Sequence, residues 1–171
     1  MIDGVKADAA AWYPVCTNPR SEKKASQALS NKGIKNYLPL RKQLKQWSDR
    51  KKWVEEPLIS SYLFVNIRPH EQSQVLMTRG VARFIYFSGK VATISDKQIE
   101  DLRLLIDSSV ELEITEEGLQ AGEAVRIKAG PLKGMRGEVV NYRSSKKLVM
   151  RLEGIGHSII IQVGAELLER F

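Results

Sequence analysis

Apolar and polar positions change their period several times along the chain, and each change marks a predicted element. Ala11-Trp12-Tyr13-Pro14-Val15-Cys16 is a short apolar and aromatic run, ended by the turn signal Asn18-Pro19. Helix formers follow from Ser21 to Leu29, with Ala25, Ala28 and Leu29 on one face, and Gly33 closes that helix. Ile34 to Leu44 reads as extended. Leu58 to Ile67 is the strongest strand signal, dense in β-branched and aromatic side chains. A short helix is predicted around Glu71 to Thr78, then a strand from Val81 to Phe87 that turns at Gly89-Lys90. Ser95-Asp96-Lys97-Gln98 resembles a capping box, opening a helix with Ile99, Leu102, Leu105 and Ile106 on one face. Strands and helices interleaved in this way predict an α+β sandwich over residues 1–107.

Beyond Asp107 the pattern shifts. Ser108 to Gly118 holds Glu111, Glu113, Glu116 and Glu117 with no basic residue, and 108–119 reads as an acidic linker. After it come only short alternating runs: Ala124 to Lys128, Gly137 to Tyr142, Leu148 to Leu152 and Ser158 to Val163. Such runs, separated by turns, predict a small all-β barrel over residues 120–171.

Composition narrows the class. The 171 residues are 43% hydrophobic and 27% charged, which suits one or two globular domains rather than a disordered chain. Formal net charge is +7, divided as about +7 over residues 1–107, −4 over 108–117 and +4 over the remainder. That balance favours an acidic partner such as nucleic acid. No apolar run is long enough to span a bilayer, and the polar opening Met1 to Lys6 is no secretory signal. The single cysteine, Cys16, sits between apolar neighbours and reads as a packing residue. Together these features predict a cytoplasmic, monomeric protein without a membrane partner.

Two stretches carry most of the functional information. In Val125-Arg126-Ile127-Lys128-Ala129-Gly130-Pro131-Leu132-Lys133-Gly134-Met135-Arg136-Gly137 the apolar and basic residues alternate, giving one buried and one solvated face. Gly130, Pro131, Gly134 and Gly137 punctuate it, and the pattern resembles the KOW motif of NusG-type elongation factors and some ribosomal proteins. The first unit adds Trp12-Tyr13, Asn18 to Ala25, Tyr37-Leu38-Pro39-Leu40, Glu56 to Val65, Thr78-Arg79-Gly80-Val81 and Ile94-Ser95-Asp96. These segments resemble the N-terminal domain of the NusG family, so the resemblance spans about Ala11 to Phe171. Asn18 to Lys23 and Gln46 to Lys52 place it nearest the specialised paralogues of the RfaH and especially the UpxY type.

That resemblance implies a transcription antitermination or elongation factor. It implies docking on the clamp helices of the largest subunit of bacterial RNA polymerase, on specific operons such as those for capsular polysaccharide. Ile59, Tyr62, Phe64 and Phe84 are the implied polymerase contacts, although Ser60-Ser61 stands where relatives often have Pro-Gly or Pro-Asn. Arg20, Lys23, Lys24, Thr78 and Arg79 are the implied contacts to non-template DNA or nascent RNA. The C-terminal domain is implied to take a small-subunit ribosomal protein or a termination factor.

Arg41 to Trp53 is a basic run with two tryptophans, and Arg50, Lys51 and Lys52 are further nucleic-acid candidates. The same run is equally readable as a hairpin tip kept soluble by charge. No catalytic pair, phosphate loop or metal spacing is present; His70 and His157 lie far apart and read as surface or turn residues. The expectation is a binding protein without cofactor, metal or catalysis, the alternative being a ribosome-associated or RNA-binding KOW protein. The five glycines and Pro131 between residues 130 and 156 also argue against any helical state of 120–171.

Overall fold

The computed structural model describes residues 8–171, which pack as two compact units divided between Asp96 and Lys97. In the first unit β1 (Ala11–Thr17) runs through the middle of a four-stranded antiparallel sheet. Its neighbours are β5 (Tyr62–Ile67) on one side and β6 (Val81–Phe84) on the other, with β2 (Lys35–Tyr37) outside β5. Helices α1 (Glu22–Asn31) and α2 (Gln72–Leu76) supply the cover for one face. Ala25, Leu29 and Val75 pack there on Tyr13, Val15, Leu63, Val65, Ile67 and Phe84. Ala25 and Leu29 are one helical turn apart, as a single apolar stripe requires. Gly33, at φ +75°, ends that stripe where the sequence predicted.

Two hairpins stand apart from this sheet. β3 (Leu40–Gln46) and β4 (Lys51–Pro57) form one two-stranded ribbon, β7 (Tyr86–Phe87) and β8 (Lys90–Val91) the other. Ser88 and Gly89 both take positive φ, 50° and 77°, which is the tight hairpin turn matched to strand twist. The single strand expected over Val81 to Phe87 is therefore two, broken at Ile85.

The second unit is one six-stranded antiparallel sheet in the order β14-β10-β11-β12-β13-β9. Its strands are β9 (Leu112–Thr115), β10 (Glu123–Ile127), β11 (Arg136–Tyr142), β12 (Ser145–Leu152), β13 (His157–Ile161) and β14 (Leu168–Arg170). Every residue of β13 is buried, the Ile159-Ile160-Ile161 run and the polar His157 and Ser158 alike. In the glycine-rich loop, Gly134 N–H donates to Ile127 O at 2.8 Å and Ile127 N–H donates to Met135 O at 2.9 Å, closing the turn between β10 and β11. Gly137 is held by space: a Cβ there would lie 2.7 Å from Val149 O on the neighbouring strand.

Three expectations are corrected here. Helix α3 (Asp96–Asp107) belongs, apart from its first residue, to the second unit, and Gln98 Nε2 donates to Arg151 O of β12 at 2.8 Å. The boundary expected at residue 107 thus lies a helix earlier. Residues 108–119 are not a free linker, because β9 pairs with β13 from Leu112↔Ile161 to Thr115↔Ser158. Its acidic side chains meet partners far along the chain: Glu113 accepts from Tyr142 Oη at 2.8 Å and pairs with Arg143 at 3.3 Å. His157, read as a surface or turn residue, is buried, with Nδ1 2.7 Å from Ile155 O and Nε2 3.1 Å from Glu116.

Candidate functional site

Three turns of the first unit meet at one end of its sheet. Thr17 N–H donates to Ser61 O and Asn18 N–H to Gly80 O, each at 2.9 Å. Ser61 N–H donates to the buried carboxylate of Glu22 at 2.9 Å, which ties the β4–β5 turn to the first turn of α1. Ser61 takes φ +63°, the left-handed conformation that Gly or Asn adopts most readily. The hydrogen bonds on both sides of Ser61 hold it there. Gly80 is confined twice over, by φ +90° and by Ala25 Cβ, which would lie 3.0 Å from an added Cβ. The close seat of Gly80 on α1 brings Arg79 to the end of the sheet that holds Arg20.

The chemistry of that end is cationic. Arg20, Lys24 and Arg79 are exposed, and their side chains make no hydrogen bond or ion pair with any described residue. Arg20 holds φ +59°, and a bulky residue kept in that region is a local cost that the surrounding turn sustains. Across the three turns the one acid is Glu22, whose charge is turned inward. Guanidinium groups so placed can bridge phosphates or stack on an unpaired base.

Two of the expected nucleic-acid contacts are otherwise engaged. Thr78 is 3% exposed; its hydroxyl donates to Gln74 O at 2.8 Å and accepts from Lys32 Nζ at 3.0 Å. It closes helix α2 and does not face solvent. Lys23 is exposed, yet its Nζ donates to Glu55 O at 2.7 Å and fastens the β3–β4 ribbon to α1. Arg50, Lys51 and Lys52 lie exposed on that ribbon, Arg50 over the Trp47 ring at 5.5 Å.

The implied aromatic patch is rearranged as well. Ile59, Phe64 and Phe84 are all buried, at 4%, 1% and 1% exposure. Phe84 also lies on the opposite face from Tyr62. Residues paired across a ladder share a face, and Val15 pairs with both Leu63 and Phe84, whereas Cys16 pairs with both Tyr62 and Arg83. Phe84 meets Tyr13 edge-on at 6.1 Å, inside the helix-covered core. What remains accessible is a row of half-buried Tyr62 and exposed Arg83, together with Tyr86 at 64% and Phe87 at 70% exposure on the β7–β8 ribbon. Tyr86, Phe87 and Arg83 were missed from sequence, though an aromatic pair before Ser88-Gly89 is a readable hairpin signal.

These features define a protein of two units: an α+β sheet domain with a cationic end and exposed aromatics, and an antiparallel β unit with a glycine-rich turn. The family profile for NusG, described as transcription termination factor nusG, matches residues 10–103. The chain belongs to the NusG family. The structure titled "Domain interaction in Thermotoga maritima NusG" aligns over 95% of this chain and 97% of that one, with TM-score 0.52 at 19% identity. Conformations A and B of the MjSpt4:Spt5 complex align over 92% of the chain at 18% identity, covering 96% and 95% of those chains. Their TM-score of 0.29 adds nothing to the fold. No curated protein sequence matches the chain. Among the described residues no group of three or more metal-binding side chains occurs, and no helix is long and apolar enough to cross a membrane.

Proposed function

We propose that this chain is a specialised elongation and antitermination factor of the RfaH and UpxY kind, acting in the cytoplasm as a monomer by binding alone. The observation that carries the reading is where its accessible aromatic side chains and its outward cations lie. Tyr62, Arg83, Tyr86 and Phe87, and the cations Arg20, Lys24 and Arg79, all fall within the segment that matches the NusG family. In this reading the aromatic side chains dock on the clamp helices of the polymerase largest subunit. An exposed aromatic patch suits such a contact. The cationic end faces non-template DNA or nascent RNA.

Docking would act through differential affinity, favouring the elongating over the paused polymerase, with no bond made or broken by the factor. Operons for capsular polysaccharide are the proposed targets, by the likeness of Asn18 to Lys23 and Gln46 to Lys52 to the UpxY group. The second unit is proposed to work as a KOW domain that engages a small-subunit ribosomal protein or a termination factor. Its strands β10 to β14 support a β state without a helical, autoinhibited form.

Affinity purification of the full chain from its native cell tests the reading. Recovery of polymerase subunits, with the complex mapping to a few operons, is the expected result. Recovery of ribosomal RNA and no polymerase would point to an RNA-binding KOW protein instead.

A further inference from the structure

The β3–β4 ribbon has two unlike faces, and only one is closed on itself. Alternation along each strand puts Lys42, Leu44, Gln46, Lys51, Trp53 and Glu55 on one face, by the pairs Lys42↔Glu55, Leu44↔Trp53 and Gln46↔Lys51. Arg41, Gln43, Lys45, Lys52, Val54 and Glu56 lie on the other. That second face is largely satisfied: Lys45 pairs with Glu56, and the Gln43 amide, suitably turned, donates to Glu56 at 3.1 Å and accepts from Arg41 at 3.0 Å, which leaves Lys52 as its one cation without a partner among the described residues. The first face leaves Trp53 66% and Leu44 51% exposed, side by side, with Lys51 beside them and unpaired among the described residues.

Charge says what such a face would meet. The outer ten residues, 44–53, carry Lys45, Arg50, Lys51 and Lys52 against Asp49 alone, whereas the inner half balances Arg41 and Lys42 with Glu55 and Glu56. A cationic tip around an open indole calls for a polyanion that also offers flat apolar surface, and an unpaired nucleobase on its phosphate backbone is that ligand. Stacked base pairs hide the same faces, so a duplex offers only its phosphates.

The two exposed tryptophans are not equivalent. Trp47 closes the tip, its N–H donating to Arg50 O at 2.8 Å, and its ring already carries the Arg50 guanidinium at 5.5 Å. Trp53 has no such partner among the described residues. The ribbon is also held at its root, by Lys23 Nζ on Glu55 O and by Leu58 N–H on Pro39 O at 2.8 Å. Lys23 therefore positions the ribbon relative to α1.

We propose that the Leu44–Lys51–Trp53 face of the ribbon binds single-stranded nucleic acid, with Trp53 as the stacking platform for one unpaired base and Lys51 as the adjoining phosphate contact. This deepens the nucleic-acid part of the function proposed above and is independent of polymerase docking. The full-length protein would be titrated into fluorescein-labelled oligothymidylate and oligouridylate of about twelve nucleotides, and into a blunt duplex of equal length. Single strands should bind more tightly than duplex, the tighter of the two naming DNA or RNA as the source. Trp53→Leu should weaken single-strand binding about tenfold, and Trp53→Phe should restore part of the loss. Trp47→Leu should change it less than about twofold, and Lys51→Gln should cost more than Lys52→Gln. Equal binding of duplex and single strand, or Trp47→Leu matching Trp53→Leu, or Lys52→Gln matching Lys51→Gln, would overturn the assignment. Such a failure with polymerase still co-purifying leaves the docking reading intact. Trp53-dependent strand binding without polymerase does the reverse.

Discussion

The two units treat their arginines in opposite ways. In the second, Arg126 bonds Glu169, Arg143 pairs with Glu113, Arg151 bonds Glu138, Arg170 pairs with Glu123, and Arg136 covers the Phe171 ring at 4.7 Å. In the first, Arg68 reaches Asp8 at 3.4 Å and Arg50 covers the Trp47 ring, but Arg20, Arg79 and Arg83 are exposed without such a partner among the described residues. Residues 1–96 carry 16 Lys and Arg against 8 Asp and Glu, net +8, whereas residues 97–171 carry 11 against 12, net −1. Net charge therefore separates the two units, and the cations that the fold leaves unpaired narrow the surface within the first.

The largest expected effect separates core from surface within the first unit. Phe84→Ala should cost about 3–5 kcal/mol of stability, because it opens a cavity beneath the helices. Phe87→Ala, three residues later and 70% exposed, should stay within about 0.5 kcal/mol. Urea titration of the two full-length variants measures both. Comparable losses at the two positions would mean that the buried and exposed aromatics have been misassigned. Ile59→Asp belongs with Phe84→Ala, since it buries an unpaired charge at a site only 4% exposed.

The arginines allow a direct comparison between units. Arg151 Nε donates to Glu138 at 2.5 Å and its Nη2 donates to Gln120 O at 2.9 Å, so Arg151→Ala should destabilise the second unit by about 2 kcal/mol. Arg79→Ala should leave stability unchanged while lowering the salt dependence of nucleic-acid binding. Thermal melts and salt-series binding on both proteins would expose a reversal.

Acid should affect the second unit through the same pair. Burial alone would raise the Glu138 carboxyl, but donation from Gly122 N–H and Arg151 outweighs it and holds it below the ordinary glutamate value of 4.5. A carboxylate lowered in the folded state adds stability that is complete above its unfolded pKa and is lost as pH falls through the folded one. Protection of the β11 and β12 amides, taken relative to the intrinsic exchange rate at each pH, should therefore fall below about pH 4.5 in wild type, and Glu138→Gln should flatten that response.

The smallest effect falls at the turn. Ser61→Asn should stabilise by about 0.5 kcal/mol, because asparagine adopts the left-handed conformation at less cost. A loss instead would show that the serine hydroxyl is needed there.

These contrasts also explain what the chain discloses without its fold. α1 and α3 were legible because each buries a face set by local periodicity, and β1 and β5 because each is a short continuous apolar run, buried on both faces. β9 was not: its strand depends on Tyr142, Arg143 and His157, side chains that reach Glu113 and Glu116 from about thirty or forty residues away. The face of Phe84 was equally hidden, since it follows from the register of β6 on β1, with its shift between Cys16 and Thr17, and one residue of slip inverts a strand. Arg20 and Arg79 were legible as candidates by type. Thr78 was misplaced because nothing local shows that its hydroxyl closes a helix.

Affinity of core RNA polymerase for the full-length wild type, Phe87→Asp and Arg151→Ala, compared under conditions where all three are folded, tests most directly whether the first unit carries the partner surface. Phe87→Asp should bind at least about tenfold more weakly, and Arg151→Ala should bind like wild type. Wild-type affinity in Phe87→Asp, with the loss falling on Arg151→Ala, would contradict the account.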